Sequence, residues 1–139
     1  MTCALACSGV PIIGVEADVR RQAAAMKLRS AVMETWPAVR YDIVTGFYPD
    51  CLTDKFFGRD AVLVFTNVAA GWDDAAFERV IGSMARFSEA FLDLGLFGAE
   101  REEESECQAL FERIVQGARF GERLPASIVP NALMARFVF

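Results

Sequence analysis

The sequence predicts an all-α protein, a single-domain helical bundle around a central apolar helix, and three observations carry that prediction. The segment from Asp60 to Ala70 is too apolar to face water. As a helix it would be apolar on nearly all sides, which in a soluble chain requires other helices around it. Phe77, Val80, Ile81, Met84, Phe87, Phe91 and Leu94 fall at offsets 0, 3, 4, 7, 10, 14 and 17, one continuous helical stripe. Cys107, Leu110, Phe111, Ile114, Val115 and Ala118 form a second stripe. A length of 139 residues leaves room for one core, so residues 1–139 are expected to form one domain.

Along the chain, Met1 to Gly9 is small and apolar but lacks the basic start and the length of a secretory signal. Val15, Val19, Ala23, Met26, Ser30, Met33 and Trp36 recur every three or four residues and predict an amphipathic helix from about Glu16 to Trp36. Pro37 closes it, because proline disfavours helical geometry in the residue before it. From Ala38 to Thr53 the pattern is mixed, and Gly46 and Pro49 allow only a short helix and then a turn at Tyr48-Pro49-Asp50. By periodicity alone, Ala61 to Val68 also fits a buried strand, which would make the protein α/β. The helix is preferred because only Val39 to Val44 offers a partner strand.

The strongest predicted helix runs from Asp73 to Leu94, with Asp73 and Asp74 capping its amino end and Gly95 and Gly98 ending it. A further helix is expected from about Glu100 to Phe120, stopped by Gly121. Pro125 and Pro130 then bracket the approach to an apolar end, Ala132 to Phe139, which is interrupted only by Arg136. That end is expected to cap the bundle or to pack on a partner.

Composition excludes several functions. With 54% hydrophobic and 24% charged residues the chain can build a core and is not a disordered segment. A net charge of -5 without a Lys/Arg cluster disfavours nucleic acid. The chain has no histidine, and Cys3, Cys7, Cys51 and Cys107 make no paired spacing, so neither a metal nor a cofactor is expected and the thiols are read as free. The run Glu100, Glu102, Glu103, Glu104 and Glu106 would scatter around a helix and is read as a solvated face. Nucleophile elbows, phosphate loops and dinucleotide turns are all missing, so no enzyme is expected. Asp50, Asp54 and Asp60 are read as turn and cap residues. No run reaches the roughly 18 apolar residues that would span a bilayer.

Phe57-Gly58-Arg59, leading into the apolar segment, resembles the first homology region of the B-cell lymphoma two (Bcl-two) family, whose hallmark Asn-Trp-Gly-Arg precedes an apolar central helix. Phe56 stands where that family has Asn. The resemblance implies a Bcl-two-like fold and a virus-encoded, anti-apoptotic member without a membrane anchor. Such a protein would act in the host cytosol, peripheral to mitochondria. Its partners would be pro-apoptotic host proteins, whose BH-three helices would lie in a surface groove, and a homodimer would be a second use of that groove. Phe47, Tyr48, Leu52, Phe56, Phe57, Gly58, Arg59 and Val62 would line it, with Arg59 pairing an aspartate of the ligand. A rival register places the homology region at Gly71-Trp72-Asp73-Asp74. The second functional expectation is a viral or phage structural subunit, all-helical, that assembles with copies of itself through apolar surface; the oligomeric state without ligand separates the two.

Overall fold

A computed structural model describes residues 10–65, 74–94, 104–125 and 133–139. Their fold is mixed α/β, with three helices and six strands in two sheets, 40% helix and 32% strand. The expected all-α helical bundle is therefore corrected, and with it the all-helical form of the assembly subunit. The chain divides into two compact units, Met1–Thr53 and Asp54–Phe139.

The first unit is a β-α-β element: strand β1 (Ile12–Glu16), helix α1 (Val19–Thr35) and strand β2 (Tyr41–Thr45), the two strands parallel. Local chemistry explains the helix. Asp18 caps it, one carboxylate oxygen accepting from the backbone N–H of Arg20 at 2.7 Å and of Arg21 at 3.2 Å. Thr35 is its last residue, just ahead of Trp36 and Pro37, so the expected stop holds. The expected inward stripe does not. Val19 and Trp36 are 69% and 53% exposed, while buried Val32 joins Val39 and Tyr41, with Ile12 and Ile43 packed on them. Arg29 crosses to β2 by donating from Nε to the Tyr41 carbonyl at 2.5 Å. The expected turn at Tyr48-Pro49-Asp50 is present.

The second unit opens with a 3-10 turn, Asp54–Phe56, and continues as strand β3 (Gly58–Phe65), helix α2 (Asp74–Met84), strand β4 (Phe87–Asp93), helix α3 (Glu104–Val115) and strands β5 (Phe120–Arg123) and β6 (Met134–Val138). The sheet order is β3-β4-β6-β5; β3 and β4 are parallel, and β6 runs antiparallel to both its neighbours. The predicted central helix is strand β3 as far as Phe65, and its remainder from Thr66 to Ala70 lies outside the described residues. The partner of β3 is β4, not the Val39–Val44 segment, whose residues from Tyr41 onward pair with β1 as β2.

The predicted helix Asp73–Leu94 is two elements. Its stripe is continuous in sequence, but Ala85 and Arg86 turn the chain, Arg86 N–H donating to the Ser83 carbonyl at 3.1 Å. Long-range contacts meet at the turn. The Arg86 guanidinium lies 3.4 Å from the Phe57 ring centre and pairs with Asp54 at 2.6 Å, and Phe57 packs on Phe87 at 5.3 Å between centroids. The helix expected at Glu100–Phe120 is present as α3 within Glu104–Val115, and the apolar end is β6.

Helices α2 and α3 pack on one side of this sheet, α2 against β4 and α3 against β5 and β6. That side holds the core: Ala90, Leu92, Ala135 and Phe137 are fully buried, together with Val80 and Met84 of α2 and Cys107 of α3. Gly121 permits the closest approach. A Cβ there would meet Val115 Cγ2 at 2.3 Å, Phe137 Cδ1 at 3.2 Å and Phe111 Cζ at 3.4 Å. Val115 is stiff at χ1 and Phe137 is enclosed, so Gly121→Ala is expected to cost about 1 to 3 kcal/mol. Urea unfolding measures it; an unchanged midpoint would show that Val115 yields freely.

Candidate interaction surface

The other side of the four-stranded sheet is unlike the first. Strand alternation and register place its residues in rows, one of which, Asp93 and Met134 at the end of β4 and the start of β6, is buried at 8% and 6% exposure. Val62, Glu89, Val138 and Phe120 form one row across β3, β4, β6 and β5; Val64, Phe91, Arg136 and Glu122 form the next. Val62, Val64 and Phe120 are 50%, 45% and 50% exposed, and Phe91 and Val138 are half-buried. The sheet is mixed, with one parallel and two antiparallel pairs, and antiparallel strands often leave a face to solvent; what marks this face is that three of its exposed side chains, Val62, Val64 and Phe120, are apolar.

An ionic stripe crosses the same face. Arg136 grips Glu89 through two nitrogens, Nη2 to Oε1 at 2.9 Å and Nε to Oε2 at 3.1 Å, and donates from Nη1 to Glu122 Oε1 at 3.1 Å. It thereby ties β4, β6 and β5 together, and its own pKa is raised by those hydrogen bonds, first to Glu89 and then to Glu122. The hydrogen bond from Arg136 holds the Glu89 carboxyl below the usual carboxylate range. One arginine between two carboxylates leaves the stripe with a net charge of -1.

A second polar group lies around α3. Arg123 pairs with Glu104, whose carboxyl that hydrogen bond holds low, and burial pushes the Cys107 thiol up. A thiol shifted upward by burial is chemically quiet, so Cys107 is a core residue. Cys51 is shifted the same way by burial. Among the described residues, no group of three His, Cys, Asp or Glu side chains could hold a metal ion, and no helix is long and apolar enough to cross a membrane.

The eight residues of the expected groove fall in both units. Phe47 is 69% exposed just after β2, and Tyr48 and Leu52 are half-buried near it. Phe56 ends the 3-10 turn, with the Lys55 ammonium 4.8 Å from its ring centre, and Phe57 is clamped by Arg86 and Phe87. Gly58 and Arg59 begin β3 rather than a central helix, and Val62 lies on the open sheet face. The rival register at Gly71-Trp72-Asp73 lies outside the described residues. A groove between helices thus has no helical frame at Phe57-Gly58-Arg59.

Compared with protein-family models, with curated proteins and with solved structures, the chain matches none. The sheet face therefore stands on its own chemistry. Of its residues, sequence reasoning reached only Val62. A signal for the rest was present in Arg136, a lone charge in an apolar end, which needs carboxylate partners wherever it is half-buried.

Proposed function

We propose that this chain is a non-catalytic assembly subunit whose partner is a second copy of itself, docked on the face of the β3-β4-β6-β5 sheet opposite α2 and α3. The observation that carries the reading is the half-exposure of Val62, Val64 and Phe120 in a sheet whose other face is sealed by those two helices. The polar atoms of the ionic stripe already bond one another, so the face needs apolar surface from its partner, and the same face of another copy supplies it. Sheets pack in this way about 10 Å apart, with side chains interdigitating.

Size sets the expected strength. Four strands about 4.8 Å apart and about five residues long at about 3.3 Å each give a face of roughly 19 by 17 Å. That is smaller than the about 800 Å² per partner of a standard stable interface, so a weak dimer is expected, with Kd in the micromolar range or above.

Sedimentation equilibrium from roughly 1 μM to 1 mM tests this, with monomer giving way to dimer as concentration rises. A constant monomer mass would overturn the reading. Replacing both Val62→Thr and Val64→Thr keeps strand propensity and adds no charge, but puts two hydroxyls in the interface without partners. It is expected to raise Kd at least about tenfold while leaving unfolding of the monomer nearly unchanged.

A further inference from the structure

Strand β3 is the longest of the described strands and stands first in the order β3-β4-β6-β5, so β4 pairs with one of its edges and no described strand with the other. The hydrogen bonds around β4 show which backbone groups that outer edge presents. The Ser88 carbonyl accepts from Phe139 N–H at 3.1 Å and so points toward β6. Backbone direction alternates along a strand, so Glu89 and Phe91 turn their N–H and C=O toward β3. In a parallel pair such a residue bonds the two residues flanking the one opposite it. Glu89 stands opposite Val62 and Phe91 opposite Val64, which engages Ala61, Leu63 and Phe65. The Ala61 carbonyl agrees, accepting from Ser88 Oγ of β4 at 3.0 Å. Val62 and Val64 therefore direct two N–H and two C=O groups away from β4, beside their own exposed side chains.

Such an edge is a template for another strand unless charge, proline or a bulge blunts it. The irregularity in β3 falls between Gly58 and Val62, and from Val62 to Phe65 the strand is regular, uncharged and free of proline. Donors and acceptors repeating every 6.6 Å or so match an extended backbone (~3.3 Å per residue). Exposed Asp60 just ahead of that stretch, on a chain of net charge -5, favours a basic residue beside it. We infer that the outer edge of β3 takes an extended, basic segment of a partner protein as a further strand of the sheet, with apolar side chains beside Val62 and Val64 and a lysine or arginine near Asp60. This edge is a different surface from the open face, and pairing on it depends on backbone groups before side-chain area.

The probe is the amidated peptide Lys-Thr-Val-Thr-Val-Thr-Lys with a dye at its amino end, which reads the same in both directions and so offers a lysine to Asp60 in parallel or antiparallel pairing. Fluorescence anisotropy with the full chain is expected to give Kd below about 1 mM, and no binding at that concentration overturns the inference. Val64→Pro removes an outward N–H and sets a ring against the incoming strand, while the β3–β4 ladder does not use that N–H. It is expected to raise Kd at least about tenfold with an unchanged circular dichroism spectrum. Val62→Thr/Val64→Thr alters the open face but not the backbone, and is expected to change Kd less than about threefold. The reverse order of effects would place the peptide on the face and overturn the inference. Two further peptides need no variant: one is methylated at its valine amides, the other at its threonine amides. One of them is expected to lose binding and the other to keep it, because alternate amides of a strand face its neighbour; equal losses overturn the inference. Glutamates in place of both lysines are expected to raise Kd about fivefold in low salt, and equal binding would overturn the basic character of the partner. A dimer that Val64→Pro dissolves and the peptide does not displace would assign the edge to a second copy and overturn the inference.

Discussion

Phe137→Ala is expected to remove about 3 to 5 kcal/mol of stability, the cost of truncating an aromatic ring in a closed core. The ring is fully buried in β6, in register with Ala90 on one side and Gly121 on the other, and it packs on Phe111 with centroids 5.4 Å apart. Both register neighbours are small, so neither can reach into the space that truncation would leave. The cost therefore combines lost burial with a cavity the surroundings cannot close. Urea unfolding followed by circular dichroism reads it directly. Phe137→Leu, which keeps most of the volume, is expected to lose much less, and a loss below about 1 kcal/mol for Phe137→Ala would show that the α3 side of the sheet collapses onto the gap.

Gly46→Ala is the counterpart in the first unit. Gly46 has φ 135°, a region that L side chains rarely adopt, and a Cβ there would lie 2.7 Å from Cys51 Cβ. The clash cannot be relieved by a rotamer, because Cys51 Cβ is fixed to the backbone. The loop is also tied at both ends: Gly46 N–H donates to the Glu16 carbonyl at 3.1 Å and Cys51 N–H to the Phe47 carbonyl at 2.9 Å. Strain and overpacking together are expected to cost about 2 to 4 kcal/mol. Adding Cys51→Gly removes the opposing Cβ and should return the steric part of that loss but not the part due to φ, which a double-mutant cycle separates. Additive losses would mean that the contact contributes nothing.

The two substitutions probe opposite kinds of information in the chain. Gly46 was visible as a breaker between apolar stretches, since glycine's freedom is a property of the residue itself. Phe137 was visible as apolar, yet nothing near it in sequence told whether it lay in a strand or capped a bundle. The same contrast runs through the elements. Helix α1 was legible because Pro37 ends it whatever surrounds it, although its inward face was misassigned: Val32, not the Val19–Trp36 stripe, meets the strands. Helix α3 was legible from a stripe that is buried at Cys107, Leu110 and Ile114.

Strands β3 and β4 carry a helical pattern in sequence for a physical reason. Where a strand is sealed on one face and carries apolar residues on the other as well, alternation is weak, and Phe87 and Phe91 happen to continue the helical spacing of Phe77, Val80 and Met84. Neither glycine nor proline stands at Ala85 and Arg86: Phe87 to Asp93 leave the helical path to pair with β3 and β6 as β4, and Arg86 at the turn lies beside Phe57 and Asp54. Asp54 and Arg86 are separated by 32 residues, beyond the reach of any periodicity.

The candidate surface was the least legible feature. Its apolar residues look the same in sequence whether a helix covers them or solvent does, and its ionic stripe joins Arg136 to Glu89 across 47 residues. By itself the sequence determined what depends on neighbours along the chain: where α1 stops, where the chain turns at Tyr48-Pro49-Asp50, and that no histidine is available to any site. Tertiary structure alone decided which apolar segments are strands, which face of the sheet the helices seal, and which carboxylates meet Arg136, because each of these is fixed by pairing between segments distant in sequence.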